Sequence, residues 1–211
     1  MTGTHVVALG GSLLRPEEAE KRRQWLGQLR QLVVHLEGNG RKLGIVVGGG
    51  LPAREGIELA KNIISDSARL DEVGIAATRL NATVLQQIFL DIGCDVSPII
   101  PTNTVEASSL MDKHAIVVMG GTTPGHTTDA VAIALARDCG ARNCVIATNV
   151  DYVYDKDPRK YEDAKPMFDI SIEQLAEVTG TEPLMPDQSA VVDPVAVGWA
   201  KDASIDIAVL D

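Results

Sequence analysis

Gly120-Gly121-Thr122-Thr123-Pro124-Gly125-His126-Thr127-Thr128-Asp129 is the stretch that decides the fold. Ahead of it lies an apolar run, Ala115-Ile116-Val117-Val118-Met119, and behind it an alanine-rich run over residues 130–136. The order is buried strand, glycine-rich loop, helix start. A helix N-terminus offers unpaired N–H groups and the positive end of a dipole, so it accepts anions. Glycines let backbone approach a ligand, and the four threonines add hydroxyl donors. Two readings fit. One is a phosphate cradle; the other is a crossover loop in which Thr128 or Asp129 merely caps the helix. The loop's length and its density of Gly and Thr favour the cradle.

Working outward, the same pattern recurs. His5-Val6-Val7-Ala8-Leu9 ends at Gly10-Gly11-Ser12, and Leu43-Gly44-Ile45-Val46-Val47 ends at Gly48-Gly49-Gly50. A fourth apolar run, residues 144–148, ends in Asn149-Val150-Asp151, and a last strand is expected over residues 205–210. Between the strands, helical spacing predicts helices over 17–37, from Pro52 to about 64, over 71–90, over 129–139, from a Ser171 cap to about 178, and over 193–201. Ile99 and Ile100 read as a short extended piece between prolines. Residues 152–165 read as a polar hairpin or excursion, and 179–189 as a Gly/Pro loop. Strands alternating with helices predict an α/β fold, a mainly parallel sheet with helices on both faces. All the glycine loops then lie along the carboxyl edge, where such sheets bind ligands.

Bulk properties narrow the chemistry. A length of 211 residues suits a single domain with a real core. Aromatics are only 3%, which argues against base-stacking platforms, and a net charge of -10 argues against nucleic acid and anionic membrane as partners. Cys94, Cys139 and Cys144 show no metal or disulfide spacing, so reduced thiols are expected. No apolar run is long enough to span a bilayer, and Met1 leads almost directly into a strand. A cytoplasmic protein without a leader is the expectation.

None of the loops fits a dinucleotide fingerprint or GxxxxGK[ST]. Several glycine loops converging on one edge instead suit a ligand with phosphates at both ends, and phosphoryl transfer depends mostly on positioning and charge neutralisation. Asp129 either orients a cationic group or Mg²⁺, or caps its helix. Arg54 either reaches a phosphate or is a solvated helix charge. Asp71 suits a pair of ribose hydroxyls or a surface cap. Asp151, Asp155 and Asp157 with Tyr154, Lys156 and Arg159 form either a nucleotide-side loop or a solvated hairpin. His126 reads as a hydrogen-bonding loop residue.

At these residues the chain closely resembles the amino acid kinase superfamily, and within it the archaeal type of UMP kinase. The matching stretches are Gly10-Gly11-Ser12, residues 46–50 with Ala53-Arg54, residues 74–82, residues 120–132, and residues 147–151 with 153–159. They follow the family's order over essentially the whole chain, and the Thr-Pro-Gly-His-Thr-Thr-Asp run is the most specific of them.

The resemblance implies a three-layer αβα sandwich acting as one domain over 1–211, with an acceptor part over about 1–140 and a nucleotide part over about 141–211. It implies transfer of the γ-phosphoryl of ATP to UMP, with Mg²⁺. UMP would be held by Gly49, Asp71 and Thr122, Thr123, Pro124, Gly125, His126, Thr127 and Thr128. ATP would be held by residues 8–12, including Gly10, Gly11 and Ser12, and by Gly50, Arg54, Thr148, Asn149, Tyr154 and Asp157. Asp129, with Ser12 and Arg54, would form the reaction centre, with no dedicated protein metal site. The resemblance also implies a homo-oligomer, a homohexamer built from dimers, with the first long helix in the dimer contact.

Three departures bear on the donor side. Ala8 stands where many members carry lysine, Tyr152 stands where the family has glycine, and Gly198 stands where archaeal members usually have lysine. The family also continues beyond the last strand, whereas this sequence ends at Asp211. Two other functions share the cradle: a same-fold kinase of another small phosphorylated metabolite, and a non-catalytic nucleotide- or anion-binding protein.

Overall fold

The computed structural model describes residues 3–14, 19–150, 152–156, 161–180, 182 and 191–210. Five strands form one parallel sheet: β1 (Thr4–Leu9), β2 (Lys42–Val47), β3 (Ile116–Met119), β4 (Asn143–Ala147) and β7 (Asp206–Leu210). Their spatial order is β3-β2-β1-β4-β7. Two further short strands, β5 (Val153–Tyr154) and β6 (Pro166–Met167), pair antiparallel. This antiparallel pair favours the hairpin over the excursion, with β6 just past Lys165 and residues 157–160 outside the described ones.

Strands covered on both faces need apolar side chains throughout; β2 is buried from its second residue on, and β3, although at the sheet edge, is buried at every position. Alternate residues then serve two separate cores. On one face, Val6, Ala8, Val46, Val117, Met119 and Ile146 pack against α5 (Thr104–Met111), α6 (Thr128–Asp138), α7 (Ile172–Thr179) and α8 (Pro194–Ala203). On the other, Leu9, Ile45, Val47 and Val118 pack against α1 (Gly11–Leu14), α2 (Ala19–Gly38) and α4 (Ser67–Asp91). The remaining helix, α3 (Gly50–Ala60), lies against α4. This is the expected three-layer αβα architecture.

The connections set where a ligand goes. Helices α1, α2 and α4 cover one face, while α5 and α6, on either side of β3 in the chain, cover the other, and α6 returns the chain to β4. Their loops separate at the carboxyl edge and leave a cleft, the usual place for a ligand in a doubly wound sheet.

Three expectations need correction. Residues 104–111 form α5, which the spacing of apolar residues did not predict. Asn103 caps it by accepting the Glu106 N–H at 2.8 Å, and Glu106 accepts the Thr102 N–H at 2.9 Å. The extended piece falls at Val96, which bridges Ile116, rather than at Ile99 and Ile100. Helix α4 begins at Ser67, capped by Asp66, so Asp71 is not a cap. The three cysteines are free. No helix among the described residues is long and apolar enough to cross a membrane.

Candidate active site

The cleft has a volume of about 480 Å³ and is lined by Gly10, Gly11 and Ser12 after β1, by Gly48, Gly49, Gly50 and Arg54 after β2, and by Gly125, Thr127, Thr128 and Asp129 after β3. Asp193 and Val195 at the start of α8 complete it. Three glycine loops distant in sequence thus meet around one space.

Glycine is needed first because the loops touch one another. A Cβ on Gly11 would stand 2.4 Å from both the Gly48 carbonyl oxygen and the Gly50 nitrogen. Gly50 itself has φ of +56°, a left-handed conformation that side chains disfavour. The β1 and β2 loops are therefore packed backbone on backbone, and their helix starts open side by side into the cleft. At α3 no side chain caps the first turn, so its N–H groups remain available.

Helix α4 holds the loops after β2 and β3 in place. Asn81, fully buried, donates from Nδ2 to the carbonyls of Gly48 at 2.8 Å and Gly49 at 3.1 Å. One turn earlier, Thr78 Oγ1 accepts the Gly121 N–H at 2.7 Å and donates to the Ile75 carbonyl at 2.6 Å. A Cβ on Gly120 would fall 2.5 Å from that Thr78 oxygen, so only glycine lets the strand end pass α4 this closely. Asp71 accepts the Gly125 N–H at 2.7 Å. Residues 71, 78 and 81 lie on the stripe of α4 that faces the loops. Thr78 and Asn81 belong to the site's support although residue chemistry alone did not single them out. The readable signal was two buried polar residues at i, i+3 within an apolar helix face.

The capping alternative for the central loop resolves in favour of a third residue. Thr127, not Thr128 or Asp129, is the N-cap of α6, its Oγ1 accepting the Ala130 N–H at 3.3 Å. The Thr128 hydroxyl makes no hydrogen bond among the described residues and lines the cleft. Asp129 Oδ2 accepts the backbone N–H of Asp193 at 3.2 Å. Burial pushes its carboxyl up to about 6; the Asp193 N–H pulls the other way, and the Asp193 carboxylate adds repulsion. No cation among the described residues enters that balance, and Ala8 is a buried alanine of β1.

The other expected positions are more dispersed. Arg54 and Ser12 line the cleft and make no side-chain hydrogen bond or ion pair among the described residues. Thr122, Thr123, Pro124 and His126 belong to the same loop but are not among the residues lining the cleft; His126 packs edge-on against Trp199, ring centroids 5.2 Å apart. Thr148 follows β4 and backs Gly10, whose N–H donates to Ala147 at 2.9 Å. Asn149 follows it, and Tyr154 lies on β5, outside the cleft lining. Asp151, Asp157 and Arg159 lie outside the described residues.

The donors present suit an anionic ligand: two helix starts, a free hydroxyl and a guanidinium facing one space. The sheet order, the converging loops and the aspartate at the start of α6 define a class that sequence and structure comparisons share. Residues 3–211 match the model of the amino acid kinase family, and the chain belongs to that family. It is similar to the uridylate kinase of Methanocaldococcus jannaschii, 40% identical over 205 residues, spanning 97% of this chain and 89% of the relative. The crystal structure of uridylate kinase from Archaeoglobus fulgidus superposes with a TM-score of 0.81 at 34% identity, covering 98% of this chain and 89% of that one. The aspartate kinase of Synechocystis shares the fold alone, with a TM-score of 0.74 at 20% identity over 99% of this chain and 37% of its own.

Proposed function

We propose that this protein is a UMP kinase that transfers the γ-phosphoryl of ATP to UMP, giving UDP and ADP. The observation that carries the reading is the meeting of Gly10–Ser12, Gly48–Gly50 and the start of α6 around one cleft, in a chain related to archaeal uridylate kinases. UMP lies against Gly49, Asp71 and residues 122–128, and ATP lies toward Gly10, Gly11, Ser12, Gly50, Arg54 and the loop after β4. ATP supplies the γ-phosphoryl group and ADP as the leaving group. A phosphate oxygen of UMP attacks the γ-phosphorus while the bond to the β-phosphate oxygen breaks, so no proton need be removed from the attacking group.

The chain's own residues provide position and charge. The first N–H groups of α3 and α6 face phosphate oxygens, and glycine at both loops lets those oxygens approach the backbone. Arg54 adds the positive charge that the overall acidic chain otherwise withholds. Asp129, partly buried at the centre, orients a cationic group between the two phosphate chains. Mg²⁺ would enter with the nucleotide phosphates in this reading. The protein works as a homo-oligomer in the cytoplasm, with α2 in the dimer contact.

Calorimetry with UMP and with ATP–Mg²⁺ separately tests the two halves. UMP should bind the wild-type protein. Thr128→Val, which removes the unpaired hydroxyl from the cleft, should weaken UMP by about 1.5–3 kcal/mol, the range for a hydrogen bond to a charged group. Unchanged affinity would remove Thr128 from the acceptor site. Binding of ATP–Mg²⁺ without any binding of UMP would favour a different acceptor.

A further inference from the structure

Helix α8 contributes to the cleft although its N-cap residue, Asp193, is separated from the central loop by more than sixty positions. Three hydrogen bonds meet on that residue. The Asp193 N–H donates to Asp129 Oδ2 at 3.2 Å, the Thr127 hydroxyl donates to Asp193 Oδ2, and the Val195 N–H donates to Asp193 Oδ1 at 2.9 Å. We infer that Asp193 is a positioning residue of the cleft, fixing from α8 the two side chains, Thr127 and Asp129, on which the start of α6 depends. The inference concerns the same site as the kinase reading, and its kinetic test rests on that reading.

A helix cap alone does not explain the arrangement. Capping α8 requires one acceptor oxygen, and a neutral side chain would supply it without placing a second carboxylate beside Asp129. Asp193 uses both oxygens, one for its own helix and one for the Thr127 hydroxyl. Asparagine has a single acceptor oxygen and cannot make both bonds. With its proton given to Asp193, the Thr127 hydroxyl is left to accept the Ala130 N–H at 3.3 Å, so the rotamer that caps α6 is fixed from outside. The same helix meets the loop again where Trp199 packs against His126. The loop is thereby held on one side by Asp71 and Thr78 of α4 and on the other by Asp193 and Trp199 of α8.

The test uses Asp193→Asn, which keeps the α8 cap but gives up the second acceptor. In the nucleotide-free protein, amide hydrogen exchange over residues 125–128 should rise while the first turn of α8 stays protected. In turnover with UMP and ATP–Mg²⁺, kcat should fall by about tenfold or more with the UMP KM changed much less, as expected for a misplaced catalytic group. Asn103→Ala, which removes the cap of α5, is the control for simple stability loss: it should lower the melting temperature and leave kcat alone. Asp193→Ser, whose single hydroxyl can cap α8, is the second variant if the asparagine protein does not fold. Unchanged exchange at 125–128, or a kcat that follows melting temperature in the way the Asn103→Ala protein does, would overturn the inference. If the wild-type protein makes no UDP, the kinase reading fails, and the exchange measurement still decides the role of Asp193.

Discussion

Asp71, in the second turn of α4, accepts the backbone N–H of Gly125 at 2.7 Å. One carboxylate oxygen is thus used to hold the loop over the cleft, and the other has no partner among the described residues. An acceptor contact through Asp71 and an anchor for the loop are therefore compatible roles. Asp71→Ala should weaken UMP binding by about 1.5–3 kcal/mol, because both functions are lost. Asp71→Asn, which can still accept the Gly125 N–H, should lose less. Calorimetry on the two proteins checks this, and equal affinity in all three would place Asp71 outside the acceptor site.

Asp129 carries a pH signature. Its folded-state value of about 6 lies above the ordinary 3.8, so folding favours its protonated form. The resulting penalty is absent below the ordinary value, grows as pH rises between the two, and is complete above about 6. Asp129→Asn should therefore be more stable than wild type at pH 8, with the gap closing as pH falls toward 4. Turnover should move oppositely: kcat should drop about 10²-fold, far more than KM rises, if the carboxylate acts in the transition state. Thermal melts across pH and steady-state kinetics together check the pair. Near-normal turnover would leave Asp129 a structural acceptor for Asp193.

The strands and the three glycine loops were legible because β-branched runs ending in glycine leave little choice of element. Helix α5 was not, since its buried residues are only Ala107 and Met111 and its signal lay in the caps at Asn103 and Glu106. Three consecutive residues, Thr127, Thr128 and Asp129, are each chemically able to cap α6. The choice among them is made by Asp193, a contact that no local pattern encodes. Asn81 and Thr78 escaped for a related reason: their partners are backbone groups of distant loops.

Tyr152 packs edge-on against Phe168, ring centroids 4.9 Å apart, and remains 42% exposed. Both rings border a second cavity of about 630 Å³ between the β5–β6 hairpin, α7 and β7. A tyrosine at the rim of such a cavity can stack on a base. Tyr152→Gly should then weaken ATP by about 1–3 kcal/mol, the worth of one stacked base, and leave UMP untouched. Improved ATP binding in that variant would mean that the ring obstructs the pocket.

Helix α2 packs Trp25, Leu29, Val33 and Leu36 against the sheet but leaves Leu32 at 52% and Val34 at 47% exposure. An isologous pairing of α2 would cover them. Sedimentation should show at least a dimer at micromolar concentration, dissociated by Leu32→Glu together with Val34→Glu. Helix α4 also exposes Leu80 and Val84. Dissociation by Leu80→Glu with Val84→Glu in place of the α2 pair would move the contact to α4, and a wild-type monomer would remove it altogether.

Phosphoryl transfer onto UMP in the cleft between the three glycine loops is the proposed reaction. Its most direct test is a product assay with ATP–Mg²⁺ and each of UMP, CMP, AMP, GMP and a small phosphorylated metabolite, followed by separation of the products. ADP should form in step with UDP, with a clear preference for UMP over the other acceptors, and that product should be lost in the Asp129→Asn protein. Turnover with another acceptor while UMP stays unphosphorylated, or UMP binding with no phosphoryl transfer at all, would contradict the proposed reaction.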